Sequence, residues 1–152
     1  MVRQADYEKY MRMALELAAE AAERGEVPVG CVVVDGGGNV IGRGRNRREE
    51  RRRVSGHAEM DAIDGACRVL GDWRLDGCTL FVTLEPCPMC AGAMISARVG
   101  TLVYGAREPE TGSAVSVLNL FEERYPGHTA IVPGVLAGES EALLRAFFRK
   151  RR

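Results

Sequence analysis

The spacing of apolar residues along the chain predicts strands and helices in alternation. Between residues 7 and 24 the apolar side chains recur every three or four positions, which is typical of one face of an α-helix. Two runs at 29–35 and 40–45 have the composition of strands, and Gly36-Gly37-Gly38-Asn39 between them predicts a hairpin turn. The remaining pattern predicts helices at 57–70, 87–97 and 139–151, and strands at 79–83, 101–104 and 130–132.

A hairpin followed by alternating strands and helices predicts an α/β domain of three layers, α/β/α, with a central five-stranded mixed sheet. The chain of 152 residues is long enough for one substantial core, so we expect a single domain over 1–152. No apolar run approaches the roughly 20 residues that span a bilayer, and the first residues lack the apolar core of a secretory signal. We therefore expect a cytoplasmic protein without a membrane partner.

The most specific chemical pattern is His57-Ala58-Glu59, followed later in the chain by Pro86-Cys87-Pro88-Met89-Cys90. One imidazole and two thiolates form the protein ligand set of a catalytic zinc ion whose fourth position stays open. Both motifs lie at predicted helix starts, where Cys87 and Cys90 can point at one ion and where thiolate is favoured over thiol. Glu59 is then placed to move protons, as in the zinc nucleobase deaminases.

Two other interpretations of these residues stay open. A structural zinc site would need a fourth ligand, and the remaining candidates lack paired spacing. A redox CxxC pair would leave His57 and Glu59 without a role. The three other cysteines are predicted to be reduced thiols outside the chemistry: Cys31, Cys67 and Cys78.

Positive charge is concentrated in two segments, although the formal net charge of the chain is zero. Residues 43–53 hold seven arginines against two glutamates, and residues 145–152 hold four arginines and one lysine with no acid. Such runs are often solvated faces. They can also be arms that contact the phosphates of a nucleic acid, and the composition leaves both possibilities open.

Taken together, these motifs resemble those of the bacterial tRNA-specific adenosine deaminases, members of the cytidine deaminase superfamily that convert a wobble adenosine to inosine. The similarity runs nearly end to end. It includes Glu26-Val27-Pro28-Val29-Gly30, Asn46-Arg47, His57-Ala58-Glu59-Met60, the stretch from Leu80 to Ala93, Tyr104-Gly105-Ala106-Arg107, and the segment from Leu143 to Arg152.

The resemblance implies a cytidine-deaminase-like fold, a homodimer, a tRNA anticodon stem-loop as partner and one Zn2+ ion as cofactor. It places the ion on His57, Cys87 and Cys90, makes Glu59 the proton shuttle, and has Asn46 hydrogen-bond the base. The full set of implied substrate-binding residues is Asn46, Ala58, Val29, Leu84, Glu85 and Pro86. The implied RNA contacts are Arg107, Phe147, Phe148, Arg149 and Arg152.

Two segments depart from the family pattern. Arg53-Val54-Ser55-Gly56 stands where the family usually has Asp-Pro-Thr-Ala, and Glu110 stands where it usually has a lysine. Deamination of a wobble adenosine is the leading hypothesis. Deamination of a free base or nucleoside of the guanine, cytidine or adenine type is the alternative that the two departures favour. A third hypothesis, a catalytically silent zinc-containing RNA-binding subunit, is disfavoured by the presence of Glu59.

Overall fold

The computed structural model describes residues 2–151 and contains one sheet flanked by helices. The strands are Gly30–Val34 (β1), Val40–Arg45 (β2), Thr79–Leu84 (β3), Thr101–Ala106 (β4) and Ala130–Val132 (β5). The helices are Tyr7–Glu23 (α1), Arg48–Arg51 (α2), Ala58–Leu70 (α3), Pro88–Ser96 (α4) and Ala137–Lys150 (α5), with single 3-10 turns at Gln4–Asp6 and Leu120–Glu122.

The sheet is mixed and has five strands, as the sequence predicted. Its strand order is β2-β1-β3-β4-β5. Strand β1 pairs antiparallel with both β2 and β3, whereas β3, β4 and β5 are parallel. The predicted hairpin turn between β1 and β2 is confirmed, since Asp35 accepts hydrogen bonds from the backbone N–H groups of Gly37 and Asn39. Gly38 adopts the left-handed conformation there, with φ of 86°.

Helices cover both faces of the sheet, which confirms the three-layer α/β/α fold. Because successive side chains of a strand point to opposite faces, Val32 and Val34 pack in the core beneath α1, while Cys31 and Val33 pack beneath α3 and α4. Helix α5 packs beside α1 and contacts β4. The cores on the two sides of the sheet bury the apolar faces that the helical periodicity predicted.

Helix α3 lies unusually close to strand β2 because two glycines leave room for its backbone. A Cβ atom on Gly42 would lie 2.1 Å from the carbonyl oxygen of Ala62, and one on Gly44 would lie 2.0 Å from that of Ala58. Neither position tolerates a larger residue without displacement of the helix. This contact fixes the first turn of α3, where the His57-Ala58-Glu59 motif lies.

The structure differs from the prediction mainly in the arginine-rich segment after β2. The pattern predicted no helix or strand between residues 45 and 57, but this segment contains helix α2, because the buried carboxylate of Glu26 accepts hydrogen bonds from the N–H groups of Glu49 and Glu50. The predicted boundaries at 83 and 104 were short, since β3 and β4 continue to Leu84 and Ala106. In the described residues, no helix has the length and apolar character needed to cross a membrane.

Candidate active site

The His-Cys-Cys motif converges at the N-termini of two helices. His57 immediately precedes α3 and Cys87 immediately precedes α4, both with extended backbone, while Cys90 lies in the first turn of α4 and is buried. The Sγ atoms of Cys87 and Cys90 lie 3.6 and 3.4 Å from Nδ1 of His57. The prediction that two helix starts bring these residues together is confirmed.

The three side chains fit a tetrahedral metal ion. Their candidate ligand atoms all lie within 4.8 Å of one another. Ligands at zinc–sulfur and zinc–nitrogen bond lengths would be separated by about 3.6 Å along the edges of a tetrahedron, close to the separations found here. Within residues 2–151 the group has three members, which is the number of protein ligands in a catalytic rather than a structural zinc site.

Hydrogen bonding within this cluster separates the acidities of the two cysteines. A hydrogen bond from the Cys90 thiol, supported by one from His57, lowers the pKa of Cys87 to about 4 despite partial burial. The same Cys90–Cys87 bond, together with burial, raises the pKa of Cys90, and the hydrogen bond to Cys87 raises that of His57. Because a metal ion binds thiolate and neutral imidazole, its binding would release protons from this cluster.

Glu59 is a buried carboxyl group beside the ligand cluster. Its residue is 4% exposed, and it lies in the first turn of α3, two positions after His57. Desolvation raises the pKa of Glu59, while hydrogen bonding and the neighbouring His57 act in the opposite direction. A carboxyl group with a raised pKa is suited to accept a proton and return it near neutral pH.

A cleft of about 730 Å³ opens over these residues. Asn46 lies on its wall, with Nδ2 donating to the carbonyl of Val27 and Oδ1 accepting from the backbone N–H of Arg48. Pro86 is buried between β3 and α4, and its carbonyl accepts a hydrogen bond from the N–H of Ser113. The cleft also brings together these predicted site residues: Val29, Asn46, His57, Ala58, Glu59, Leu84, Glu85 and Cys87.

The side chain of Glu85 is engaged by the protein itself. It is 2% exposed, and its oxygens accept hydrogen bonds from the backbone of the segment 108–116 and from the Ser116 hydroxyl. Burial acts to raise the pKa of Glu85, but these hydrogen bonds outweigh it and lower the pKa overall. The substrate-binding role that the sequence assigned to Glu85 stays a prediction.

The residues predicted to contact RNA differ in their exposure to solvent. Phe147 is buried at 9% exposure and lines the cleft, with the Arg151 guanidinium 4.4 Å from its ring centroid. Phe148 is 50% exposed and packs edge-on against Phe147. Arg149 and Arg107 are exposed, and Arg107 donates to the Ser116 hydroxyl. Arg152 lies outside the described residues.

Three arginines line the cleft, and two of them lie in the basic segments that the sequence singled out. Three of the seven arginines of the segment 43–53 form ion pairs within the fold, since Arg45 and Arg47 pair with Glu50 and Arg51 pairs with Asp61. The cleft is lined by Arg48 of this segment, by Arg151 of the C-terminal basic segment and by Arg24, which lies outside both. A signal was available for Arg24, because it adjoins the Glu26-Val27-Pro28 motif.

The three remaining cysteines are free thiols, as predicted. Cys31 and Cys78 are buried and Cys67 is half-buried. Burial is the first cause that raises the pKa of each of them. They therefore contrast with Cys87, whose pKa is lowered.

Comparison with known proteins places the chain among deaminases. The family of MafB19-like deaminases matches residues 5–152. The tRNA-specific adenosine deaminase of Bacillus subtilis strain 168 is 49% identical over 146 residues, which cover 95% of this chain and 90% of that protein. The tRNA(Ile)-lysidine synthase of Deinococcus radiodurans is 47% identical over 138 residues, which cover 91% of this chain but 24% of that protein.

Solved structures extend the same likeness to the fold. A tRNA A34 deaminase, studied for adenosine-to-inosine editing at the wobble position, has a TM-score of 0.86 and 42% identity, covering 90% of this chain and 99% of its own. The guanine deaminase of Nitrosomonas europaea has a TM-score of 0.80 and 28% identity, covering 92% and 83%. The sequence motifs and the geometry of the site agree with these matches. The chain therefore belongs to the MafB19-like deaminase family and, within it, to the tRNA-specific adenosine deaminases.

Proposed function

We propose that this protein is a zinc-dependent hydrolase that deaminates the wobble adenosine of a tRNA anticodon to inosine. The observation that carries the proposal is the cluster of His57, Cys87 and Cys90, in metal-binding geometry, beside the buried carboxyl group of Glu59 in the same cleft. The ligand set leaves a fourth position, and Glu59 supplies an acid/base group next to it.

The roles of the residues follow from the reaction. A zinc ion held by the cluster would supply the Lewis acidity that lowers the pKa of a water molecule to about 7. Glu59 takes one proton from the attacking water and gives it to the ring nitrogen, and it then carries the remaining hydroxyl proton to the amine. Water oxygen bonds to the amidine carbon, the C–N bond breaks, and the nitrogen leaves as ammonia. Asn46, on the cleft wall, orients the base.

Binding of RNA is supported by charge around the cleft. Arg24, Arg48 and Arg151 line it, and their guanidinium groups suit phosphate oxygens. The ring of Phe148 is half exposed and offers a stacking face for an unpaired base. Of the contacts implied by the resemblance, Arg107, Phe148 and Arg149 are retained as surface contacts, and Phe147 is assigned to the wall of the cleft.

Deamination of a free base is the second candidate. It is favoured by two acidic side chains, Glu49 and Glu108, that also line the cleft and would repel a polynucleotide. The structural likeness to the Nitrosomonas europaea guanine deaminase points the same way. We rank it second because three arginines share the cleft with these acids.

The proposed assembly is a homodimer in the cytoplasm. Large apolar side chains are exposed near the end of α3 and in the segment 115–118: Val69, Leu70, Trp73, Val115, Val117 and Leu118. A second copy of the chain would remove this apolar surface from water. Analytical ultracentrifugation should give twice the mass of 16.6 kDa, and a concentration-independent single-chain mass would contradict the proposal.

The substrate is tested with zinc-loaded protein and an anticodon stem-loop that carries a wobble adenosine. The same stem-loop with guanosine at that position is the matched control, and free adenosine, cytidine and guanine are tested in parallel. Mass spectrometry should detect amine-to-carbonyl replacement in the adenosine stem-loop alone. Turnover of a free base without turnover of the RNA would replace the leading proposal with the second candidate.

A further inference from the structure

One wall of the cleft is a segment without helix or strand, residues 107–116, that is folded around a single carboxylate. Oε1 of Glu85 accepts hydrogen bonds from the Glu108 N–H at 3.1 Å and from the Ser116 hydroxyl at 2.5 Å. Oε2 accepts the N–H groups of Ala114, Val115 and Ser116 at 3.1, 2.8 and 2.9 Å. Five donors therefore converge on one side chain that is 2% exposed.

Apart from Glu85, the segment is held mainly by local hydrogen bonds, among them those from the Glu110 N–H to the Glu108 carboxylate and from the Ser113 hydroxyl to the Thr111 carbonyl. The Gly112 N–H donates to the Glu108 carbonyl and the Ser113 N–H to the Pro86 carbonyl. Gly112 packs directly on the carboxylate, since a Cβ atom there would lie 2.6 Å from Oε2 of Glu85. Without Glu85, four backbone N–H groups would lose their acceptor, which is costly wherever water cannot replace it.

The segment reaches the site through two of its residues. Glu108 and Thr111 line the same cleft as His57 and Glu59, and the N–H of Glu108 is itself bonded to Glu85. Glu85 is separated from the ligand Cys87 only by Pro86. One buried group thus links the start of the metal-ligating motif to the wall against which a substrate would rest.

We propose that Glu85 is a positioning residue that holds residues 107–116 in the shape that binds the substrate, and that Ser116 is its principal side-chain partner. The inference deepens the proposed function, on which it rests for the identity of the substrate. It gives Glu85 a role through the segment rather than by direct contact with the base. Loss of the carboxylate should therefore weaken substrate binding and leave the chemical step largely intact.

The first test is hydrogen exchange of the backbone amides, which needs no substrate. In Glu85→Gln the new amide group cannot accept all the bonds of the carboxylate, so the amides of residues 114–116 should exchange about tenfold faster or more. Ser116→Ala removes one donor and should give a smaller change in the same amides. Glu8→Gln, at an exposed position of α1, makes the same change of charge and should leave their exchange unchanged.

The second test separates binding from chemistry. With the substrate that the wild-type enzyme converts, Glu85→Gln should raise KM roughly tenfold and change kcat by less than about threefold, with zinc content unchanged. Ser116→Ala should also raise KM. Ser116→Thr, which keeps a hydroxyl, should have a KM close to that of the wild type. Unchanged amide exchange in both Glu85→Gln and Ser116→Ala would overturn the inference, as would a loss confined to kcat.

The two tests keep this inference distinct from the proposed function. If the wild-type enzyme converts a free base instead of RNA, the substrate assignment fails, while the KM effect is measured with that base. If no substrate is converted, the amide exchange alone decides whether Glu85 holds the segment. Should Glu85→Gln fail to fold, Ser116→Ala carries the comparison.

Discussion

The metal-ligating cluster and the walls of the cleft above it are held in different ways. The cluster is formed by residues at the starts of α3 and α4, so local helix geometry orients its side chains. Two of the walls, the segment 107–116 and the short helix α2, are held by the buried glutamates Glu85 and Glu26 through hydrogen bonds to backbone N–H groups. Chemistry and substrate binding are therefore separable, and mutations in the two regions should give different kinetic signatures.

The largest effect is expected for Cys87→Ala. Removal of one of three ligands should abolish stoichiometric zinc binding, and with it activity and the stabilisation that a bound metal adds. Metal analysis and a thermal melt of the purified protein measure both losses. Cys67→Ala, which removes a half-buried thiol outside the cluster, is the matched control and should keep its zinc. A Cys87→Ala protein with full zinc content would show that the cluster is assigned wrongly.

Glu59→Gln should separate proton transfer from zinc binding beside the same cluster. The amide keeps the size of the side chain but cannot carry the proton, so kcat should fall by about 10²–10⁴. Zinc content and the melting temperature should stay close to the wild-type values. Single-turnover kinetics with zinc-loaded protein measure the chemical step directly. Retention of more than about a tenth of the wild-type rate would contradict the role of Glu59 as proton shuttle.

Glu26→Gln tests the wall that contains α2. Glu26 is 2% exposed and accepts hydrogen bonds from two backbone N–H groups. Glu85 accepts hydrogen bonds from four backbone N–H groups and one hydroxyl. Loss of the Glu26 carboxylate should therefore raise KM by a smaller factor than loss of the Glu85 carboxylate. We expect about a threefold increase in KM and faster exchange of the Glu49 and Glu50 amides. An effect larger than that of Glu85→Gln would reverse the proposed ranking of the two walls.

The smallest effect is expected for Arg151→Ala. This arginine lines the cleft and donates to the Gly25 carbonyl at 2.6 Å, so it offers only part of its guanidinium to an RNA phosphate. Affinity for the stem-loop should fall a few-fold. The slope of log affinity against log salt concentration should decrease in magnitude by about one, because one phosphate contact is lost. Arg43→Ala, in the arginine-rich segment but outside this cleft, is the control. Equal losses in the two variants would favour a diffuse basic surface.

The sequence predicted the features that depend on neighbouring residues. The periodicity of α3 and the CxxC spacing at the start of α4 are local signals, and together they located the cluster of His57, Cys87 and Cys90 that could hold a metal ion. The role of Glu85 could not be predicted in this way, because its partners lie 23 to 31 residues further along the chain. Helix α2 was missed for the same reason, since its N–H groups bond to Glu26, 23 and 24 residues away.

The C-terminal segment shows a second limit of sequence analysis. Phe147 and Phe148 are adjacent and equally apolar, so composition alone cannot tell which ring faces the protein. Rotation of about 100° per residue along α5 places Phe147 in the wall of the cleft and leaves Phe148 exposed. The orientation of a helix around its axis depends on the surface it packs against, which for α5 includes α1 and β4.

The glycine contact between β2 and α3 has a mechanical consequence. Because Gly42 and Gly44 leave no space between strand and helix backbone, the hairpin and the His57-Ala58-Glu59 motif are coupled as one stiff unit. The cleft therefore cannot widen by separation of β2 from α3. A larger or smaller substrate has to be accommodated by changes in the segments around the opening of the cleft. We therefore expect substitutions that change the preferred size of the substrate to act in those segments and not at Gly42 or Gly44.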